Sequence, residues 1–432
     1  MKKKKLITSP FRRAAKLGNL FGRVGTSMIY EKSIGVFRSN VSNQIHKADN
    51  LIRNATRIAD TLGSLKGGAM KVGQMLSLHD GLFPPEVTQV LSKLQKQAPP
   101  IDFQTIDSLI RKELMRDYQI FEYIEEDAFA AASIGQVHKG KLRDGTDVAI
   151  KVQYPSIDKI IKADIKNLKN ILGKLFSLFT KMDFTPVWEE LKQRLLEEID
   201  YKLEANNIKK ARQLYKDTSE IIIPDVISQA TTSHVLTMEY IEGISPDIAC
   251  SEKFDQETKD KWGQTLYKTI CKGLFKDKFL HVDPNLANFS FLEDNKIILY
   301  DFGCMKQIPE YLITSYKKIL NAFFDQKYDS IPFLLKEMGV FYEGGYELEM
   351  ELISPYIEIF EKIYKDNTIY QFGIDNIYER LIEIGMANFY SSLNIHFPKD
   401  VIFINRTFGG HFGNLRKLRA TGYWKDVLMQ YV

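Results

Sequence analysis

The stretch HVDPNLANFSFLEDNKIILYDFG, residues 281–303, constrains this chain more than any other. Asp283 is followed five residues on by Asn288, and thirteen residues after that by Asp301, Phe302 and Gly303. Short strands are expected around KIILYDFG, with the apolar run IILY leading into Asp301. A carboxylate, an amide and a second carboxylate at this spacing supply a base, Asp283, and two oxygen ligands, Asn288 and Asp301, for Mg2+. That ion takes few protein ligands beside phosphate oxygens and water. An isolated Asp-Phe-Gly is common by chance; the spaced Asp and Asn and the preceding strand make the signal strong. One position departs from the usual pattern: Val282 stands where an arginine ordinarily precedes the aspartate.

Phosphoryl transfer needs positioning and charge neutralisation more than covalent chemistry, so the other parts of such a site can be sought. Lys151 closes VAIK at the end of a hairpin, as a strand lysine for the phosphates does. In LLEEIDYKLEANN, Asp200 and Glu204 lie four apart, on one helical face with Glu197, and Glu204 is the carboxylate expected to hold that lysine. Glu197 reads as part of a solvated acidic face. VLTMEYIEG reads as an adenine slot, with Met238 at the pocket rear and backbone groups of Glu239 and Ile241 meeting the base; alone, it reads equally as an ordinary edge strand. Two parts are missing. A phosphate-covering GxGxxG uses glycine for close backbone approach, but the equivalent stretch is Ala130-Ala131-Ala132-Ser133-Ile134-Gly135-Gln136-Val137. After Gly303 the chain runs CMKQIPEYL straight into a helix, leaving no room for a long activation segment.

Bulk properties exclude several alternatives. At 44% hydrophobic and 26% charged residues, the 432-residue chain is ordinary globular material, enough for one large domain or two to three smaller ones. Cys250, Cys271 and Cys304 form no CxxC pair, and the seven histidines form no HExxH, so zinc and a disulfide framework are not expected and a reducing compartment is. No apolar run is long enough to span a bilayer. Residues 1–30 carry eight basic side chains and no acid, leaving the remainder net acidic. The plain reading is a solvated tail. The sharper one adds Leu17, Leu20, Phe21, Val24, Met28 and Ile29 at helical spacing, a segment suited to an anionic membrane or to organelle import. Nucleic acid is not expected as a partner, because basic and aromatic residues are not interleaved.

Along the chain, 47–97 reads as helical, broken by Gly81 and Pro84-Pro85, with Pro99-Pro100 as a boundary before a short helix in IDFQTIDSLIRKEL. The pattern turns β-like near residue 129, with a turn at Arg143-Asp144-Gly145. Helices are expected at 156–178 and 186–216, strands in IIIPDVI and HVLTMEYI, and a mostly helical region from about 255. The expected class is α+β, a bilobal protein-kinase-like fold with a helical N-terminal extension. Its segments are a basic N-terminal stretch (1–45), the extension (46–125), an N-lobe with a small antiparallel sheet (126–243) and a helical C-lobe (244–432).

With AAASIGQVH at 130–138, VAIKVQYP at 148–155, EIDYKLEA at 198–205, HVDPNLANF at 281–289 and Asp301-Phe302-Gly303, the chain resembles the UbiB family of atypical kinases, which supports coenzyme Q biosynthesis. The resemblance covers roughly residues 45–420. It includes KVGQ at 71–74, similar to the family's KxGQ signature, which on its own residues reads as one polar turn of an amphipathic helix. The resemblance implies that the extension packs over the nucleotide site and that Lys71 and Gln74 sit where a peptide would dock. It further implies that Lys71 pairs with Glu198 of Glu198-Ile199-Asp200. Taken as one continuous helix, this segment places Glu198 about 120° from Glu204, free to serve a different partner from Lys151. ATP with Mg2+ is the implied cofactor, contacting the alanine-rich loop, Val137, Ala149, Lys151 and the Met238–Ile241 slot. The implied activity is ATP hydrolysis near prenyl-lipid or quinone precursors and the enzymes that modify them, with peripheral contact to an anionic membrane and a homodimer as an allowed assembly. The implied location is the cytoplasmic face of a membrane, or the mitochondrial matrix in a eukaryote. NRTFGGHFGNLRKL at 405–418 also resembles the family, with Arg406 and the glycine pair Gly409-Gly410 assigned to packing of the large lobe.

Two alternatives stand beside this reading. Small-molecule kinases of the aminoglycoside or choline phosphotransferase type share the lysine strand and a loop like HVDPNLAN, but lack KxGQ and the alanine-rich loop. A non-catalytic nucleotide-binding scaffold predicts that Asp301→Asn leaves function intact.

Overall fold

The computed structural model describes residues 101–131, 134–176, 185–387 and 394–432, together with Lys16, Asn19, Arg53, Thr56, Arg57, Asp60, Thr61 and Val72. The chain divides into two compact units: Met1–Leu203 with Val226–Tyr240, and Glu204–Asp225 with Ile241–Val432.

In unit 1, helix α1 (Phe103–Leu114) begins where the Asp102 side chain accepts from the Thr105 amide at 2.9 Å, the usual way an N-cap satisfies an orphan donor. Its buried Ile106, Ile110 and Leu114 recur at helical spacing and form one stripe. That stripe meets a four-stranded antiparallel sheet in the order β1 (Phe121–Ala131), β2 (Gly135–Leu142), β3 (Asp147–Gln153), β5 (Val235–Glu239). Strand β4 (Ile221–Ile222) belongs to unit 2. The core between helix and sheet contains Val148, Ile150, Val152, Leu142, Phe121 and Val235.

The β2–β3 turn falls where the sequence puts it: Gly145 has φ 93°, and the Asp144 side chain accepts from Thr146 N at 2.9 Å. Strand β1 begins at Phe121, ahead of the expected onset near 129 and inside the stretch assigned to the helical extension. Its bulged ladder and its acids (Glu122, Glu125, Glu126, Asp127) suit the outer edge of a sheet, where charge deters further pairing. Beyond the sheet run α2 (Ile157–Phe176) and α3 (Thr185–Glu198).

Helix α4 (Tyr201–Tyr215) starts in unit 1 and enters unit 2 at Glu204. Unit 2 is built around α5 (Gln256–Cys271), whose Trp262 and Tyr267 are almost fully buried, and it adds the short strands β6 (Phe279–His281), β7 (Phe289–Phe291), β8 (Ile297–Leu299) and β9 (Met305–Gln307). Helix α6 (Glu310–Phe324) follows, and near the C-terminus α7 (Lys399–Leu418) runs its full twenty residues through NRTFGGHFGNLRKL. Leu415 on α7 is fully buried, and Gly263 on α5 lets the backbone approach Ala420. Among the described residues, no helix is long and apolar enough to cross a membrane.

Candidate functional site

Strand alternation decides what Lys151 shares a face with. Val148, Ile150 and Val152 turn into the core, so Ala149 and Lys151 point to the other face. Register places Lys151 between Val137 and Leu236, and Ala149 between Lys139 and Met238. Four predicted nucleotide contacts (Val137, Ala149, Lys151 and Met238) thus occupy one face of the sheet. The Lys151 ammonium stands 5.1 Å from the ring centre of Tyr201, a cation–π distance.

The alanine-rich stretch splits into several roles. Ala130 and Ala131 end β1 and pair with Val137 and Gln136. Ala132 and Ser133 lie outside the described residues. Ile134 is buried, and its carbonyl accepts from Tyr154 N at 2.9 Å. Gly135 is dictated by its own unit: a Cβ there would lie 2.2 Å from the Val152 carbonyl oxygen. The next buried side chain, Gln136, pairs with the backbone of Ile101 in both directions, accepting at 2.8 Å and donating at 3.2 Å. It also donates to His138 Nε2 at 2.8 Å, which leaves Nδ1–H to donate to the Glu125 carbonyl. Burial holds the pKa of His138 below its ordinary value, favouring this neutral tautomer.

The segment expected as one helix over 186–216 is two. Helix α3 ends at Glu198, and Asp200 Oδ1 accepts from the amides of Lys202 (3.0 Å) and Leu203 (3.4 Å) to start α4. A short side-chain acceptor offered to a new helix start competes with helix continuation. The angle drawn between Glu198 and Glu204 on a single helix therefore does not hold, and Asp200 has a capping role. Glu197 pairs with Arg194 at 3.2 Å. Glu204 is 4% exposed and belongs to unit 2, Lys151 to unit 1. Lys71 and Gln74 lie outside the described residues; Val72 between them is helical and buried.

The adenine-slot segment changes unit within itself. Met238 and Glu239 end β5, and the chain leaves unit 1 after Tyr240. In unit 2 the Ile241 carbonyl accepts from the Tyr300 hydroxyl at 2.9 Å.

Hydrogen bonds bind the catalytic-type loop to the Asp-Phe-Gly segment. Strands β7 and β8 form a hairpin whose turn uses Asn295 at φ 65°, a conformation asparagine tolerates. The hairpin brings its two ends together, and Tyr300 N donates to the Asn288 carbonyl at 3.1 Å. A separation of thirteen residues in sequence thus becomes adjacency of Asn288 and the residue before Asp301. His281 Nε2 donates to the Asp301 carbonyl at 2.6 Å, and Val282 N donates to the Cys304 carbonyl at 3.0 Å. The Asp283 carboxylate accepts from Asn285 N at 3.1 Å. Val282 is 3% exposed, so the position of the missing arginine is apolar interior. After Gly303, β9 pairs at once with β6, and α6 starts at Glu310 behind Pro309.

The residues fit a divalent cation with phosphate oxygens. The Asn288 Nδ2 atom is buried and lacks a hydrogen-bonding partner among the described residues. An amide end left so in a polar loop suits an oxygen-rich occupant, or after a half-turn the cation itself. No group of three or more His, Cys, Asp or Glu side chains able to hold a metal occurs among the described residues.

Sequence reasoning missed the side chains that brace this loop. Asn207 Nδ2 donates to the Phe302 carbonyl at 3.0 Å, and Asn414 Nδ2 donates to the Pro284 carbonyl at 2.8 Å. His411, 2% exposed, meets Phe289 edge-on at 5.7 Å. Burial and the neighbouring His281 push its pKa down to about 3. The only sequence signal was the helical spacing of Gly410, His411 and Asn414.

Comparison with known proteins bears on the family and the fold. The model of the ABC1 atypical kinase-like domain matches residues 93–334. The Danio rerio protein named "Atypical kinase COQ8B, mitochondrial" is 33% identical over 327 residues, covering 74% of this chain and 52% of its own. The Caenorhabditis elegans "Atypical kinase coq-8, mitochondrial" is 29% identical over 442 residues, covering 97% of this chain and 57% of its own. The chain thus spans just over half the length of these curated relatives. Among solved structures, the Rv3197–erythromycin complex from Mycobacterium tuberculosis matches with a TM-score of 0.66 at 24% identity, over 91% of this chain and 97% of that one, and so shares the fold.

Proposed function

This chain belongs to the ABC1 atypical kinase-like family, and from that premise we propose that it binds and hydrolyses Mg-ATP in support of ubiquinone or other polyprenyl-lipid biosynthesis, without phosphorylating proteins in trans. The motifs assign Lys151 to the phosphates, Glu204 to that lysine, Asp283 to the base position, and Asn288 and Asp301 to the metal. When bound, Mg2+ neutralises charge on the phosphate oxygens. Asp283 orients the attacking water or hydroxyl and accepts its proton. His281 and Val282, through Asp301 O and Cys304 O, keep the base loop and the metal segment in register.

The observation that carries the reading is the chain after Gly303. Strand β9 and helix α6 follow without the segment on which a peptide substrate docks. Buried Val282 agrees, since an arginine there serves mainly to hold a phosphorylated segment of that kind.

The test is ATP turnover with magnesium by the purified protein, alone and with liposomes containing anionic lipid. Asp301→Asn is expected to lower turnover about a thousandfold, the scale of removing one pre-organised electrostatic partner. Absence of nucleotide binding in the unaltered protein would sink the proposal, as would full turnover in Asp301→Asn. Phosphate appearing on added proteins would overturn the restriction to non-protein targets. A normal quinone pool in a deletion strain would remove the biosynthetic assignment. We place the protein peripherally on an anionic membrane through residues 1–30, in the mitochondrial matrix if the source is eukaryotic; deletion of 1–30 should abolish co-flotation with such liposomes.

A further inference from the structure

Helix α7 touches both chemical segments of unit 2. Near its start, Asp400 pairs with Lys306 of β9 at 2.6 Å, and the same ammonium stands 3.9 Å from the Phe403 ring centre. Ten residues later, one face of the helix lies on Pro284, directly after the base position. Gly410 has no room for a side chain: a Cβ would sit 2.3 Å from Pro284 Cγ and 2.5 Å from its Cβ. One turn further on, Asn414, itself 4% exposed, donates to the Pro284 carbonyl. Between them His411 packs on Phe289, directly after Asn288.

Residues 283–285 lie outside any strand, and the Pro284 ring nitrogen has no hydrogen to donate. The Pro284 carbonyl is a main-chain acceptor directly beside Asp283. In sites with an arginine before the aspartate, that side chain makes a charged contact to an activation segment; here Val282 is buried. We propose that Asn414, seated by Gly410, is a positioning residue for Asp283. It fixes the loop from the helix behind it, by a buried side-chain hydrogen bond in place of a charged contact to an activation segment. This inference rests on the reading of Asp283 as the base.

Two variants test it. Asn414→Ala removes the donor, and Asn414→Asp keeps the shape but presents a carboxylate to the Pro284 carbonyl. Both are expected to lower kcat for ATP at least tenfold, with nucleotide affinity, read by a fluorescent ADP analogue, within twofold of the unaltered protein. Hydrogen exchange in the peptide 281–291 should quicken in both variants, with little change in the sheet of unit 1. Turnover within twofold of the unaltered protein overturns the proposal. So does a loss of kcat matched by an equal loss of nucleotide affinity or a collapse of the melting transition. If the unaltered protein binds nucleotide but shows no turnover, the proposed hydrolysis fails, and exchange at 281–291 alone decides: quickened exchange supports the positioning role, and unchanged exchange overturns it.

Discussion

The sheet of unit 1 and the loop cluster of unit 2 carry comparable chemistry but are held in opposite ways. The sheet is a backbone construction. Lys151 takes its place from ladder register, and Gly135 is fixed by the Val152 carbonyl of the neighbouring strand. The loop cluster has strands of only three residues, too short to fix a geometry alone. Side chains take up its carbonyls: Asn207 of α4 on Phe302 and Asn414 of α7 on Pro284, both from distant helices, and His281 at the end of β6 on Asp301. The sheet of unit 1 should therefore be sensitive chiefly to backbone volume, and the loop cluster of unit 2 to single polar atoms as well as to volume.

The contrast can be broken in three ways, in descending size. Gly135→Ala drives a methyl group into the β3 backbone and should cost about 3 kcal/mol, the upper range for overpacking. Urea unfolding measures it, and a loss below 1 kcal/mol would show the sheet to be pliable after all. The second concerns His411, whose folded-state pKa lies near 3 against 6.5 for the free side chain. Above pH 6.5 both states are neutral and the residue contributes no pH dependence. As pH falls below 6.5 the unfolded state takes up the proton and the folded state does not. Stability then drops by roughly 1.4 kcal/mol per pH unit, about 2 kcal/mol by pH 5. His411→Gln should flatten that limb of a melting-temperature profile; an unchanged limb would mean the ring is not held neutral. The smallest effect separates neighbours on α7. A methyl on Gly409 meets nothing within 4 Å, so Gly409→Ala should raise stability by about 0.5 kcal/mol, while Gly410→Ala should lower it. Equal effects at the two positions would deny the contact with Pro284.

What the sequence discloses follows the same division. The Lys151 strand and the hairpin that brings Asn288 beside the residue before Asp301 were legible because alternation and hairpin spacing are local properties. The break between α3 and α4 was not: EEIDYKLE has a helical pattern without glycine or proline, and Asp200 declares itself a cap only through the amides it accepts. Strand β1 was missed because its acids mask any apolar alternation, as an outermost strand allows. Asn414 was not singled out because its partner lies 130 residues away. Local chemistry shows in spacing, whereas support supplied from a distance does not.

The direct passage from Gly303 into β9 and α6 has a consequence for control. A switchable site of this class keeps a long segment that must be ordered before work begins, and each residue ordered forfeits about 1–2 kcal/mol of backbone entropy. With so little chain left to order there, phosphorylation after the Asp-Phe-Gly has nothing on which to act as a switch. Under the proposed function, throughput would then be governed by supply: the ATP level and how many copies the cell keeps.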